Sequence, residues 1–288
     1  MKALLKRPFP LLRKILIAAI AAIGAWTVIL MIFEKQFIFF PSKYPDGIYQ
    51  NSHTLPNVRD CWIKTEDGVT LHGWFAPADS PIATLVMSHG NAGNLSHRLY
   101  LLRALQRTGF NVLIYDYRGY GRSEGSPDEA GIYADGRAAF DYALTQPGID
   151  ARRLILWGTS LGGAVAVDVA THRPAAGLIL EATFSSAKDV ARVAYPFLPV
   201  HFFIRTELNS VEKIKRVRIP LLVLHGNRDS IIPIGLGRRL YEAANAPKQF
   251  HTIEGADHND TWVVGGETYF DTVKRFALAS LPPIMESR

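Results

Sequence analysis

Two short runs, LILW at 154–157 and PLLVL at 220–224, are apolar at every position. A strand with one wet face alternates apolar with polar residues, so such runs read as strands covered on both sides, as in a parallel sheet held between two layers of helix. Comparable β-branched and aliphatic runs recur at 58–64, 69–76, 82–88, 111–116, 152–157, 177–181, 219–224 and 248–253. Stretches with helical spacing lie near 95–108, 128–145, 161–172, 234–245 and 260–280. The alternation predicts an α/β fold with a mostly parallel, eight-stranded sheet, helices on both faces and an antiparallel first pair of strands. With 288 residues, 48% of them apolar, the chain is long enough for one large core plus an extra N-terminal segment.

That extra segment is the uncharged run ILIAAIAAIGAWTVILMIF at 15–33. At helical rise its 19 residues cover about 28 Å, close to the hydrocarbon thickness of a bilayer, so it reads as one membrane span. A cleaved signal peptide is the rival, because Ala19-Ile20-Ala21 has the small residues of a cleavage site; the apolar run, however, continues well past it. Lys2, Lys6, Arg7, Arg13 and Lys14 precede the span, and only Lys35 and Lys43 follow closely. The positive-inside rule then keeps the N-terminus cytoplasmic and puts the rest of the chain in the periplasm or outside. The division expected is a basic tail at 1–14, the span at 15–33, a juxtamembrane collar at 34–54 and a globular domain at 55–288.

The formal charge of +6 comes almost wholly from that basic tail. The globular part is nearly neutral, so nothing in the charge balance points to nucleic acid as a partner. A single cysteine, Cys61, excludes an internal disulfide framework.

The LILW run leads directly into Gly158-Thr159-Ser160-Leu161-Gly162-Gly163 and then a helical stretch. In parallel sheets, ligands gather at the carboxyl ends of the strands, where Ser160 falls. G-x-S-x-G between strand and helix is the nucleophile elbow, in which the serine takes a strained backbone so that Oγ projects and the glycines remove collisions around it. The same five residues also serve as a glycine-rich turn for close helix packing. A serine hydroxyl needs a base, so an acid and a histidine must lie on the right loops. Asp229 follows the strand in IPLLVLHGNRDSIIP, and His258 follows the next one in HTIEGADHND. The order Ser160, Asp229, His258 is the one a triad requires on this topology. Taken singly, Asp229 also reads as a turn residue before Pro233 and His258 as one loop histidine among nine. Two backbone amides complete the assignment as oxyanion donors: Leu161 at the helix start, and Asn91 in LVMSHGNAGN after an earlier strand. His89 reads as a structural histidine of that loop, and its spacing from His97 is not metal-ligand spacing. In DYRGYGRSEGSP, Asp116, Arg118, Gly119 and Gly121 read as a tight turn held by an internal ion pair. Glu181 is a possible alternate acid, or a residue that fixes a pocket or loop.

HGNAGN, DYRGYGRSEGSP, GTSLGGA, HGNRDSIIP and GADHND, in this order, resemble the α/β-hydrolase superfamily. Specifically, the chain is similar over about residues 35–280 to small membrane-anchored serine hydrolases. That group includes eukaryotic protein depalmitoylases and bacterial inner-membrane relatives labelled hydrolase, lysophospholipase or serine aminopeptidase. The resemblance implies an α/β-hydrolase fold with nucleophile Ser160, acid Asp229, base His258 and the amides of Asn91 and Leu161. The eukaryotic members' N-terminal cysteine cluster is absent here, so anchoring rests on the span.

The apolar, Pro-broken segment VAYPFLPVHFFIRTEL at 193–208, within a short cap at 185–215, makes Tyr195, Phe197, Leu198 and Phe202 candidate substrate contacts; a helix packed on the sheet edge is the other reading. Lys213, Lys215, Arg216 and Arg218 read as a solvated face, with anionic headgroups as the alternative. The expected activity is hydrolysis of carboxylic esters or thioesters of lipid-like acyl substrates. A serine aminopeptidase and a non-catalytic membrane-tethered binding module are the alternatives. No metal, nucleotide or flavin is called for, and the partners expected are the acyl substrate and the membrane. Two sequons, Asn94-Leu95-Ser96 and Asn259-Asp260-Thr261, lie beside the expected site, where a glycan would obstruct substrate; they favour a periplasmic setting over a glycosylating one.

Overall fold

A computed structural model describes residues 10–282. Lys2, Lys6 and Arg7 of the basic tail lie outside the described residues, as does the end of the domain expected at 55–288. The main sheet has eight strands: β1 (Arg59–Lys64), β2 (Thr70–Ala76), β3 (Ala83–Ser88), β4 (Phe110–Tyr115), β5 (Leu154–Thr159), β6 (Gly177–Glu181), β7 (Leu221–Gly226) and β8 (Lys248–Ile253). Their spatial order is β8-β7-β6-β5-β3-β4-β2-β1. All pairs from β8 to β4 are parallel, whereas β2 is antiparallel to both β1 and β4.

Burial on both faces explains the apolar runs. Along β5, Leu154 and Leu156 enter one core cluster, with Phe140 of helix α4 (Glu129–Leu144) and Val165 of α5 (Leu161–Ala170). Ile155 and Trp157 enter the opposite cluster, with Leu102 of α3 (Leu99–Arg107) and Val273 of α9 (Thr261–Ser280). Successive side chains alternate between two dry layers, so no polar residue is required on either. Helix α5 is buried from Leu161 to Val169 and correspondingly apolar all round. It approaches α4 closely at Gly136, where a Cβ would lie 2.4 Å from Val165 Cγ1.

The chain leaves β3 towards one layer, through α3, and leaves β5 towards the other, through α5. The carboxyl ends of these adjacent strands therefore diverge and open a crevice, as at the switch point of any open parallel sheet.

On the N-terminal side, α1 (Pro10–Ile32) is long and apolar enough over Leu11–Ile32 to cross a membrane. Most of it is exposed, but Thr27 and Leu30 are buried against the rest of the chain. A short helix α2 (Glu34–Ile38) follows, and then Phe40–Pro41 pairs in parallel with Ala92–Gly93 after β3. The cap between β6 and β7 contains α6 (Ala187–Ala194), a 3-10 turn at Pro199–Phe202 and α7 (Ser210–Lys213). Helix α8 (Ile234–Ala243) joins β7 to β8.

Candidate active site

Ser160 stands between β5 and α5 with φ +54° and ψ −117°, a strained backbone for a residue with a side chain. Three bonds hold it there: its amide donates to Glu181 O at 2.9 Å, and its carbonyl accepts from Thr183 Oγ1 at 2.7 Å and from the Gly163 amide at 2.9 Å. Glycine is required at position 162, where a Cβ would sit 1.9 Å from Ser88 O. The first turn of α5 can thus pack directly on the end of β3 beside the serine.

The loops after β7 and β8 converge on the same point. His258 Nε2 lies 3.1 Å from Ser160 Oγ, and His258 Nδ1 lies 2.8 Å from Asp229 Oδ2. Asp229 Oδ1 accepts the amides of Ile231 and Ile232 at 3.0 and 2.7 Å, and Oδ2 is also 3.3 Å from His225 Nε2. Burial by itself would raise the Asp229 carboxyl, but His225, His258 and the Ile232 amide outweigh it and hold it below the ordinary carboxylate range. The carboxylate is therefore charged at neutral pH and stands behind the imidazole, which is the arrangement that fixes a tautomer and supports an imidazolium.

Asn91, Ser160 and Leu161 line one end of a cavity of about 230 Å³. Leu161 opens α5, where first-turn amides have no intrahelical acceptor and the helix dipole favours negative charge. The Asn91 loop is buttressed from below and from the N-terminal side. Its carbonyl accepts from Tyr120 OH at 2.8 Å and the Phe40 amide at 3.1 Å, and its side chain donates to Ile38 O at 3.0 Å. Tyr117 OH donates to His89 O at 2.7 Å.

The other residues singled out from sequence fall out differently. Tyr195 lines the cavity, but Leu198 packs on the small cluster of Leu30, Ala191 and Val200, and Phe197 and Phe202 are 93% and 74% exposed. The segment breaks at Pro196 and Pro199, so the chain turns after α6 and sends these two rings outward. The ion pair expected within DYRGYGRSEGSP is also corrected. Arg118 pairs with Asp135 of α4 and with Asp67, at 2.8 and 2.7 Å, rather than with Asp116. Asp116 is fully buried and instead accepts the Leu95 amide at 2.7 Å and Tyr49 OH at 3.0 Å, with His89 Nε2 3.4 Å away. Burial would raise this carboxyl too; His72, His89 and the Leu95 amide hold it low. Gly121 passes so close, at φ +47°, that a Cβ would strike Asp116 Oδ2.

Glu181 makes no bond to His258. Its buried carboxylate accepts from Trp157 Nε1, Thr159 Oγ1, Thr261 Oγ1 and Tyr269 OH, at 3.2, 3.0, 2.5 and 2.7 Å. It therefore ties the end of β5 to the start of α9, on either side of the Ser160–His258 contact. Spacing carries no signal for this role, because the donors lie on other elements. Asn94 is fully buried, with Nδ2 donating to Ser42 O and Asp46 O and Oδ1 accepting the Ser96 amide and hydroxyl.

The family description "serine aminopeptidase, S33" matches residues 79–202. A protein named alpha/beta hydrolase domain-containing protein WAV2, from Arabidopsis thaliana, is 32% identical over 88% of this chain and 90% of its own length. The chain belongs to the α/β-hydrolase superfamily. Among other relatives, an uncharacterised Mycobacterium tuberculosis protein is 39% identical over 92% of this chain and 95% of its own, and the Schizosaccharomyces pombe protein bem46 is 32% identical over 84% and 85%. The fold of this α/β hydrolase superimposes on the Pyrococcus furiosus esterase Pf2001 with a TM-score of 0.70 at 21% identity, covering 85% of this chain and 99% of that one.

Proposed function

We propose that this α/β hydrolase is a membrane-anchored serine hydrolase that cleaves carboxylic ester or thioester bonds of acyl, lipid-like substrates through an acyl-enzyme. The observation that carries the proposal is the continuous Ser160–His258–Asp229 contact, at 3.1 and 2.8 Å, at one end of an apolar cavity. His258 Nε2 takes the Ser160 proton as Oγ attacks the carbonyl carbon. The amides of Asn91 and Leu161 hold the oxyanion, and His258 then protonates the departing alkoxide or thiolate. Water, deprotonated by the same imidazole, attacks the acyl carbon and releases the acid and free Ser160. Asp229 keeps Nδ1 protonated and stabilises the imidazolium.

The domain plan expected from sequence is part of the proposal: basic tail 1–14, span 15–33, collar 34–54 and catalytic domain 55–288 with its cap around 185–215. The chain enters the membrane with its N-terminus cytoplasmic and its catalytic part periplasmic. Burial of Thr27 and Leu30 in the last turns of α1 supports a retained anchor over a discarded leader. A peptidase needs a carboxylate free to hold the substrate amine. Glu34 is the carboxylate among the cavity-lining residues, and it already accepts the Arg205 and Thr206 amides.

A fluorophosphonate probe tests the assignment. Ser160→Ala abolishes labelling and Glu181→Gln retains it; persistent labelling of the serine variant overturns the nucleophile. Turnover of nitrophenyl acyl esters in excess of aminoacyl naphthylamides separates esterase from peptidase, and the reverse preference favours the peptidase.

A further inference from the structure

The cavity that ends at Ser160 is walled on one side by the N-terminal helices. Leu30 of α1 and Phe37 and Ile38 of α2 face Ala191 and Tyr195 of the cap across it. Leu30 is buried in a small apolar cluster with Ala191 and Val200. Glu34 clamps the junction by accepting the amides of Arg205 and Thr206, while Lys35 pairs with Asp128 at 3.3 Å. A second, smaller void of about 40 Å³ shares Leu30, Glu34, Val200 and Ile204 with the first and is lined further by Thr27 and Met31 of α1. The two spaces, separated by these four shared side chains, thus lie in succession between α1 and the cap, one beside the reactive serine and the other beside the part of α1 that is apolar enough for a bilayer.

The outer surface at this level has the same character. Phe33 at the α1–α2 junction, Phe37 of α2 and Phe197, Phe202 and Phe203 on the cap are exposed aromatic rings. Rings that flank the end of an apolar helix occupy the position of a membrane-interface belt, and their exposure to water has no other compensation. The occupant that fits is the bilayer in which α1 sits.

We infer that the membrane helix is one wall of the acyl site, and that the substrate is an acyl lipid of the same bilayer whose chain slides between α1 and the cap to reach Ser160. This rests on the serine-hydrolase reading above and names its substrate class. The acyl chain passes from lipid to apolar cavity without crossing water, while the carbonyl reaches Ser160, Asn91 and Leu161. The space is lined mostly by apolar side chains and takes part of a lipid chain, with the remainder left between α1 and the cap.

The test uses the full chain in lipid vesicles and a long-chain alkyl fluorophosphonate with a photoreactive diazirine at its tail. After phosphonylation and irradiation, the tail is expected to crosslink within 27–38 or 187–204. Phosphonylated Ser160 with crosslinks confined to other segments overturns the inference and leaves the hydrolase reading standing; absence of phosphonylation at Ser160 overturns both. In Leu30→Trp, the ratio of long-chain to acetyl ester turnover falls by about ten-fold, and in Leu30→Ala it shifts towards longer chains. An unchanged ratio in both variants counts against the wall. Finally, vesicles carrying the protein hydrolyse a non-exchanging fluorogenic lipid ester in their own bilayer and spare the same ester in separate, admixed vesicles. Equal rates on the two would show access from water and overturn the lateral path.

Discussion

Asp229 receives two imidazoles and two amides, more than the tautomer of one histidine requires, and the surplus has consequences for both rate and stability. Asp229→Asn keeps the size of the side chain but reverses the preferred tautomer of His258, so kcat is expected to fall about ten-thousand-fold with near-native circular dichroism. The carboxyl is held below its ordinary value in the fold, so it favours folding at pH above its unfolded value of about 3.9, and this contribution is lost as pH falls through the lower folded value. Below about pH 4, urea midpoints of Asp229→Asn should therefore decline less with acidification than those of the parent. A steeper decline would show that Asp229 is not held low. Glu181 makes the complementary case: Glu181→Leu strands the buried donors of Trp157, Thr261 and Tyr269 and removes the acceptor of the half-buried Thr159 hydroxyl. At about 1–3 kcal/mol for each unsatisfied group, a loss of several kcal/mol in urea denaturation is expected, whereas Glu181→Gln, which can still accept, loses less.

Helices α4 and α5 cross where Gly136 faces Val165, and the elements on that side of the sheet depend on the missing side chain. Gly136→Ala gains up to about 1 kcal/mol of helix propensity but drives a methyl against a β-branched neighbour that has little rotamer freedom. Overpacking costs about 1–3 kcal/mol, so the net effect is expected to be destabilising by about 1 kcal/mol, measured as a lower urea midpoint with unchanged slope. The same two-sided burial makes the strands legible in the sequence. Leu154 to Trp157 can be dry at every position only if both faces are covered, and that requirement by itself points to a parallel sheet. Ser160 and Asp229 stand out because each follows such a strand, and His258 because it follows the next, partly exposed edge strand; strand ends are what a linear sequence marks well. Direction and partnership are less visible. The hydrophobic period is the same whichever way a strand runs, so the antiparallel pairing of β2 with β4, beyond the expected first pair, leaves no trace in the pattern. Local spacing gives Arg118 a partner from its own turn because it carries no information on Asp135 of the following helix. Composition alone assigns the cap rings of Phe197 and Phe202 to substrate, and composition does not encode the side of a Pro-broken turn on which a ring emerges.

At the scale of the whole molecule, a basic tail, one apolar helix and a nearly neutral globular part set the orientation proposed for the membrane. In intact bacterial spheroplasts, an added protease is expected to digest the part beyond residue 55 and to spare an N-terminal tag; protection of the former would reverse the topology. The choice of compartment also bears on Asn94. Its amide nitrogen spans two carbonyls inside the fold, so the Asn-Leu-Ser sequence is inaccessible to any enzyme acting on the finished protein. An oligosaccharyltransferase, however, meets the nascent polypeptide before it collapses. A sugar attached at that moment would have to be accommodated in a space with no room for it, so production through a eukaryotic secretory route is expected to yield misfolded material, and replacement of Ser96 by alanine to improve the yield.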